Sequence, residues 1–239
     1  MKNTNFRTEQ KYLLDEKQYL ALRTRFAGIF EMDENTPEKG FYHIRSLYFD
    51  DAKDTAYFEK LAGVRDRKKY RIRIYDFDDS FIRFEKKVKN GDASYKLSAV
   101  IDRPLAEDAI RGDFSRYLSR GNELLREIHT VDALTVLRPS VIVDYDREAF
   151  VFEPCNVRLT FDRNIRTALN SFDMFDPELP TVPVIGQWQT VLEVKYDHAI
   201  PDIVKSALKG VDAYRIAVSK FTLCKRYDNH NDWEVERWG

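Results

Sequence analysis

Two cysteines in 239 residues, Cys155 and Cys224, stand far apart and form no CxxC pair. That spacing excludes a disulfide-stapled scaffold and a cysteine-based zinc module, and it leads to the expectation of reduced thiols in a cytoplasmic protein. Histidine is as scarce: His43, His129, His198 and His230 make no HxxxH or HxH arrangement, so histidine-held zinc is not expected. No stretch approaches the roughly 20 apolar residues needed to span a bilayer, and the opening MKNTNFRTEQKYLLDEKQ has no apolar segment of leader length. A charge excess is missing too. The 39 Lys and Arg are balanced by 40 Asp and Glu, which argues against a nucleic-acid partner or a membrane surface while leaving room for a local basic site.

No repeat, low-complexity tract or Gly/Ser linker interrupts the chain, so residues 1–239 read as one domain. With 43% apolar residues, 16 Phe and 13 Tyr, a sizeable core is available. Period-two alternation is the dominant local signal and predicts strands over 6–14, 43–49, 69–77, 81–89, 93–99, 140–150, 157–163 and 190–196. Residues 78–80 and 90–92 read as hairpin turns. Asp15 with Gln18 predicts a capped helix with Tyr19, Leu22, Phe26 and Ile29 on its buried face. Further helices are expected over 53–61, from Pro104 to near Gly112, after the Asn122 cap, and over 203–208. The expected fold class is α+β: an antiparallel eight-stranded β-barrel, forming a tunnel, with helices packed on the outside.

The polar faces of these strands collect positive charge. In 69–77, Tyr70, Ile72 and Ile74 oppose Lys69, Arg71, Arg73 and Tyr75; in 81–89, Ile82, Phe84 and Val88 oppose Arg83, Glu85, Lys87 and Lys89. Glu9 and Lys11 share a face, as do Glu193 and Lys195, while Lys96, Arg147 and Arg158 recur on other strands. A solvated sheet face is the plain reading of any one strand, but an exposed sheet gains by mixing signs, because like charges opposite one another destabilise it. A basic face repeated on strand after strand of a neutral chain fits a barrel closed around a polyanion. Arginine forks bond phosphate bidentately and lysine adds a point charge. Glu193, and with it Glu9 and Glu85, could hold a divalent cation that also takes phosphate oxygens, or could pair internally with neighbouring bases.

The motifs F-R-T-E-Q-K-Y (6–12), S-L-Y-F-D-D (46–51), Y-R-I-R-I-Y (70–75), F-E-K-K (84–87), Y-D-R-E-A-F (145–150), R-L-T-F-D (158–162), L-E-V-K (192–195) and S-K-F (219–221) occur in an order that resembles the catalytic domain of the vacuolar transporter chaperone (VTC) polyphosphate polymerases, within the triphosphate tunnel metalloenzymes. The resemblance implies transfer of the ATP γ-phosphoryl group to a growing inorganic polyphosphate chain, with Mn²⁺ or Mg²⁺. It implies catalytic roles for Arg71, Arg73, Lys87 and Lys220, phosphate contacts from Lys11, Lys96, Arg147, Arg158, Lys195 and Ser219, and metal on Glu193. Two positions depart from the pattern. Arg7 stands where the wider superfamily often has glutamate, and Ala217 stands where the polymerases carry lysine, with Arg215 as a candidate substitute. A metal-dependent triphosphatase and a non-catalytic polyphosphate- or nucleotide-binding module therefore remain as alternatives. Tyr48 and Tyr75 are open between adenine stacking and core packing.

Overall fold

The alternating segments become strands whose two faces meet different surroundings. The computed structural model describes residues 7–91, 93–210, 214–215 and 219–236. The first half holds β1 (Thr8–Leu14), α1 (Glu16–Ala27), β2 (Glu31–Met32), β3 (Tyr42–Asp50), α2 (Thr55–Leu61), β4 (Asp66–Tyr75), β5 (Asp78–Asn90), β6 (Ala93–Ile101) and α3 (Arg103–Ile110). After a 3-10 turn at Ser115–Arg120 come α4 (Glu123–Thr135), β7 (Arg138–Phe152), β8 (Val157–Thr167), β9 (Val182–Pro183), β10 (Thr190–Tyr196), α5 (Asp202–Leu208), β11 (Tyr214–Arg215) and α6 (Lys220–Glu236).

All strand pairs are antiparallel, and the long strands run in the order β1-β10-β8-β7-β3-β4-β5-β6, with β11 beside β1. The ladder does not close. The sheet instead curls until its two ends touch: Arg7 N–H donates to Ser94 O at 3.4 Å, and Lys87 of β5 reaches Glu9 of β1 at 2.7 Å. The result is the expected α+β tunnel.

Its outer face is apolar and covered by helices. Ile72, Ile74 and Phe84 pack beneath α3 and α4 against Leu105, Leu125 and Ile128. Leu159, Phe161, Leu192 and Val194 pack against Tyr19, Leu22 and Phe26 of α1 and Val204 of α5. α1 starts at the expected capping box, with Asp15 and Gln18 exchanging side-chain and backbone bonds. It stops at Ala27, however, so Ile29 is exposed and Phe30 fills the place intended for it.

Several expectations need correction. The β4–β5 turn is Asp76–Phe77 rather than 78–80: Tyr75 pairs with Asp78, and φ values of 47° and 60° make the two-residue left-handed turn that suits a twisted hairpin. Asp76 accepts the His43 N–H, and Phe77 stacks on the His43 ring, which compensates residues that disfavour positive φ. The other hairpin stands as read, with Asn90 opposite Ala93 and Gly91 at φ 57°. The S-K-F motif lies at a helix start not among the expected elements: Lys220 and Phe221 open α6. Phe221 and Cys224 pack with Ile44, Tyr48, Val141, Val143, Tyr145 and Val191 on the inner face of the sheet. Part of the interior is thus a dry core, and only the remainder is polar. Phe6, Asp92 and Ala217 lie outside the described residues.

Candidate functional site

Ladder register determines which inner-face side chains meet. Lys11 lies opposite Glu193, and Glu9 opposite Lys195. Lys195 lies opposite Arg158, Arg147 opposite Asp162, and Arg73 opposite Ser46. Arg71 lies between Tyr48 and Glu85. These groups form two linked clusters.

The first surrounds Glu193, which is 4% exposed. Its oxygens meet Lys11 at 3.0 Å, Lys220 at 2.9 Å, Lys195 at 2.7 Å and Arg147 at 3.5 Å. Asp162, fully buried, accepts two bonds from Arg147 at 2.6 and 2.8 Å and pairs with Lys220. Glu9 joins Lys11 at 3.1 Å and Lys87 at 2.7 Å. Burial opposes ionisation of Glu193, but Lys11, Lys195, Lys220 and Arg147 outweigh it and hold its carboxyl well below the ordinary range. Glu9 is depressed likewise, Lys11 and Lys87 overcoming the cost of burial. For Lys195 the balance goes the other way: desolvation lowers its ammonium to about 8 despite Glu193 and Glu9.

The second cluster surrounds Glu85, also fully buried. Arg71 reaches it at 2.6 Å, Lys96 at 2.5 Å and Arg73 only at 3.9 Å. Arg73 is held mainly by neutral groups, donating to Ser46 Oγ at 3.0 Å and Tyr145 Oη at 3.2 Å. Arg71 also donates to Tyr48 Oη at 2.8 Å. The Tyr145 ring joins the clusters, with the Arg147 guanidinium 5.2 Å and Lys220 Nζ 4.9 Å from its centre. Arg158 extends the wall through Asp33 at 3.0 Å and Tyr42 Oη.

Arg71, Arg73, Lys87, Lys96, Lys11, Arg147, Arg158, Lys195 and Lys220 thus share the inner face of the curled sheet, with Lys87, Lys96 and Arg158 partly exposed. Ser219 sits beside it, accepting from Lys69 Nζ at 3.1 Å. Arg215 does not take part. It pairs with Tyr12, which packs on the outer apolar cluster, so Arg215 occupies the outer face and is exposed. Tyr48 packs against Phe221 and holds Arg71, and Tyr75 packs against Tyr42; both rings are core and positioning groups. Sequence reasoning missed Asp162, Lys69 and Tyr145 as site residues. Asp162 was legible as the third alternate residue after Arg158 and Thr160, but a lone acid beside Phe161 carried no motif of its own.

Among the described residues no three His, Cys, Asp or Glu side chains gather as a self-sufficient metal site. Glu9 and Glu193 nevertheless turn one oxygen each to a common point, Lys11 Nζ. Two carboxylates completed by substrate phosphate oxygens are an ordinary holding for Mg²⁺, so this pair fits a divalent cation arriving with a triphosphate. Glu85 does not share that point, since its oxygens are taken by Arg71 and Lys96.

The sequence matches the VTC domain over residues 6–226. The chain belongs to the VTC domain family. No curated protein matches it. Among solved structures, a Bacillus halodurans protein described as "a putative adenylate cyclase" is 13% identical with a TM-score of 0.55, covering 90% of this chain and 94% of its own. The PH1012 protein of Pyrococcus horikoshii OT3 is 11% identical with a TM-score of 0.50, covering 91% and 98%. At such identities the likeness carries the fold alone. No helix of the described residues is long and apolar enough to cross a membrane.

Proposed function

We propose that this VTC domain binds triphosphate and polyphosphate in its tunnel and transfers the γ-phosphoryl group of ATP to the end of a polyphosphate chain. The observation that carries the reading is convergence: a chain of net charge −1 gathers arginines and lysines from seven of its eight long strands, all but β3, onto one inner face. The carboxylates there are each shared among several cations. A polyanion entering this space can take over cations now held by Glu9, Glu85 and Glu193.

Arg71, Arg73 and Lys96 would hold one part of the triphosphate, and Lys11, Arg147, Lys195 and Lys220 the other, with Arg158 steering the acceptor. Glu9 and Glu193 would hold Mn²⁺ or Mg²⁺, which supplies charge neutralisation on the phosphate oxygens. An oxygen of the terminal acceptor phosphate forms the new P–O bond to the γ-phosphorus. The bond from that phosphorus to the β,γ-bridging oxygen breaks, and ADP departs with the electron pair. The acceptor is already ionised at neutral pH, so no general base is required; positioning and charge stabilisation do the work.

Purified protein incubated with ATP and Mn²⁺ tests this. Long-chain polyphosphate accumulating with ADP, and ceasing when a chelator is added, is the expected outcome. Free phosphate without polymer would replace the reading with a triphosphatase. Saturable binding without turnover would leave a polyanion-binding module.

A further inference from the structure

Lys69 of β4 lies directly opposite Lys87 of β5, and Lys87 directly opposite Lys96 of β6. Three lysine side chains therefore stand in one row across the inner face, an arrangement that repels itself when all three are protonated. The fold relieves two of them, pairing Lys87 with Glu9 at 2.7 Å and Lys96 with Glu85 at 2.5 Å. Lys69 has no carboxylate partner among the described residues. Its Nζ donates to Ser219 Oγ at 3.1 Å and lies 4.2 Å from the centre of the Phe221 ring. The groups facing it are Lys60 of α2, Lys11 of β1, Lys87 of β5 and Arg67 of its own strand. Burial first, and then these like charges, push its ammonium well below the ordinary lysine range.

A lysine kept for structure would be given a counter-ion, as its two neighbours in the row are. Lys69 is instead fixed by a hydroxyl and a ring at the start of α6, with no counter-ion beside it. Alternate residues on one strand face are about 6–7 Å apart, so Lys69 stands one such step beyond Arg71 and roughly 13 Å from Arg73. We propose that Lys69 contacts phosphoryl groups beyond those held by Arg71 and Arg73, so that the tunnel prefers polyphosphate longer than triphosphate. This rests on the tunnel being the polyanion site. Engaging the longer chain would return the missing counter-charge, and Lys69 would take up a proton as it binds.

The test compares calorimetric titrations of the full protein with inorganic triphosphate and with long-chain polyphosphate, for wild type, Lys69→Met and Lys69→Arg. The Met variant is expected to lower the ratio of long-chain to triphosphate affinity by roughly tenfold, the size of one charge-assisted hydrogen bond. The Arg variant should retain the ratio. Repeating the titrations near neutral pH in buffers of different ionisation enthalpy should show extra proton uptake for the long chain in wild type, absent from Lys69→Met. An unchanged ratio in a folded Met variant would overturn the role of Lys69 while leaving the tunnel reading intact. Wild type binding neither ligand would overturn both.

Discussion

Replacing Arg73 by alanine is expected to weaken triphosphate binding by roughly 10- to 100-fold while the empty protein melts no lower than wild type. A charge-assisted bond to phosphate is worth about 1.5–3 kcal/mol, which sets that range. Arg73 is 6% exposed and its close partners are hydroxyls, with Glu85 only at 3.9 Å. Removing it relieves repulsion from Arg71, the leading charge acting against its own protonated state after burial. Arg71→Ala is expected to lose affinity and stability together. Glu85, fully buried, takes bonds from Arg71 Nε at 2.7 Å and Nη2 at 2.6 Å, and would be left with Lys96 as its one close cation. Breaking a buried pair from one side costs about 3–5 kcal/mol. Two arginines one alternation apart look equivalent in the sequence; their partners separate them. Triphosphate titrations beside thermal melts of both variants would check this, and equal losses of stability would contradict it.

Glu193→Gln is the second large effect. The amide would face Lys11, Lys195, Lys220 and Arg147 with no charge to share. The empty variant should be less stable at neutral pH by about 3–5 kcal/mol. Because Lys195 loses its close counter-ion and Lys11, Lys220 and Arg147 each lose one of two, triphosphate without metal should raise its melting temperature more than it raises that of wild type. Metal-dependent turnover should fall. The pH dependence follows from the depressed carboxyl. A group whose folded pKa lies below its unfolded value contributes stability above the unfolded value, near 4.5 for Glu, and loses it as pH falls through the folded value. The wild-type advantage over Glu193→Gln should therefore be full at neutral pH and shrink as the solution is acidified below about 4.5. Melts over a pH series would show it. A variant as stable as wild type at pH 7 would mean that Glu193 does not organise the cluster.

Much of this was legible in the sequence. Alternation located the eight long strands because outer positions such as Ile72, Phe84 and Phe161 meet helices while inner ones meet each other. Asp15 with Gln18, and Asn122 before Leu124, marked helix starts because capping is local chemistry. Where partners were distant in sequence, reading failed. Arg45 looks like a solvent-facing strand residue, yet it is 1% exposed on the outer face, forked onto Asp144 at 2.8 Å. Lys86 interrupts an apolar face because Glu127 of α4 waits there to pair with it. α6 is absent from the sequence-based expectations because K-F-T-L-C-K-R-Y-D-N-H-N-D has no clean apolar stripe. Among its described side chains the buried ones, Lys220, Phe221, Cys224 and Asp228, meet the inner face of a curled sheet rather than an ordinary helix-packing groove. The departure at Ala217 gained no remedy from Arg215, whose register with Tyr12 turns it outward.

The central claim is that a polyanion lies inside the curled sheet, and a crystal structure of the protein with bound inorganic triphosphate tests it most directly. The account predicts phosphate oxygens within about 2.7–3.2 Å of the Arg71 and Arg73 guanidinium nitrogens, with Lys11 or Lys220 drawn from Glu193 toward the ligand. Triphosphate bound only on the helix-covered exterior, with Glu193 and Glu85 keeping all their present partners, would contradict it.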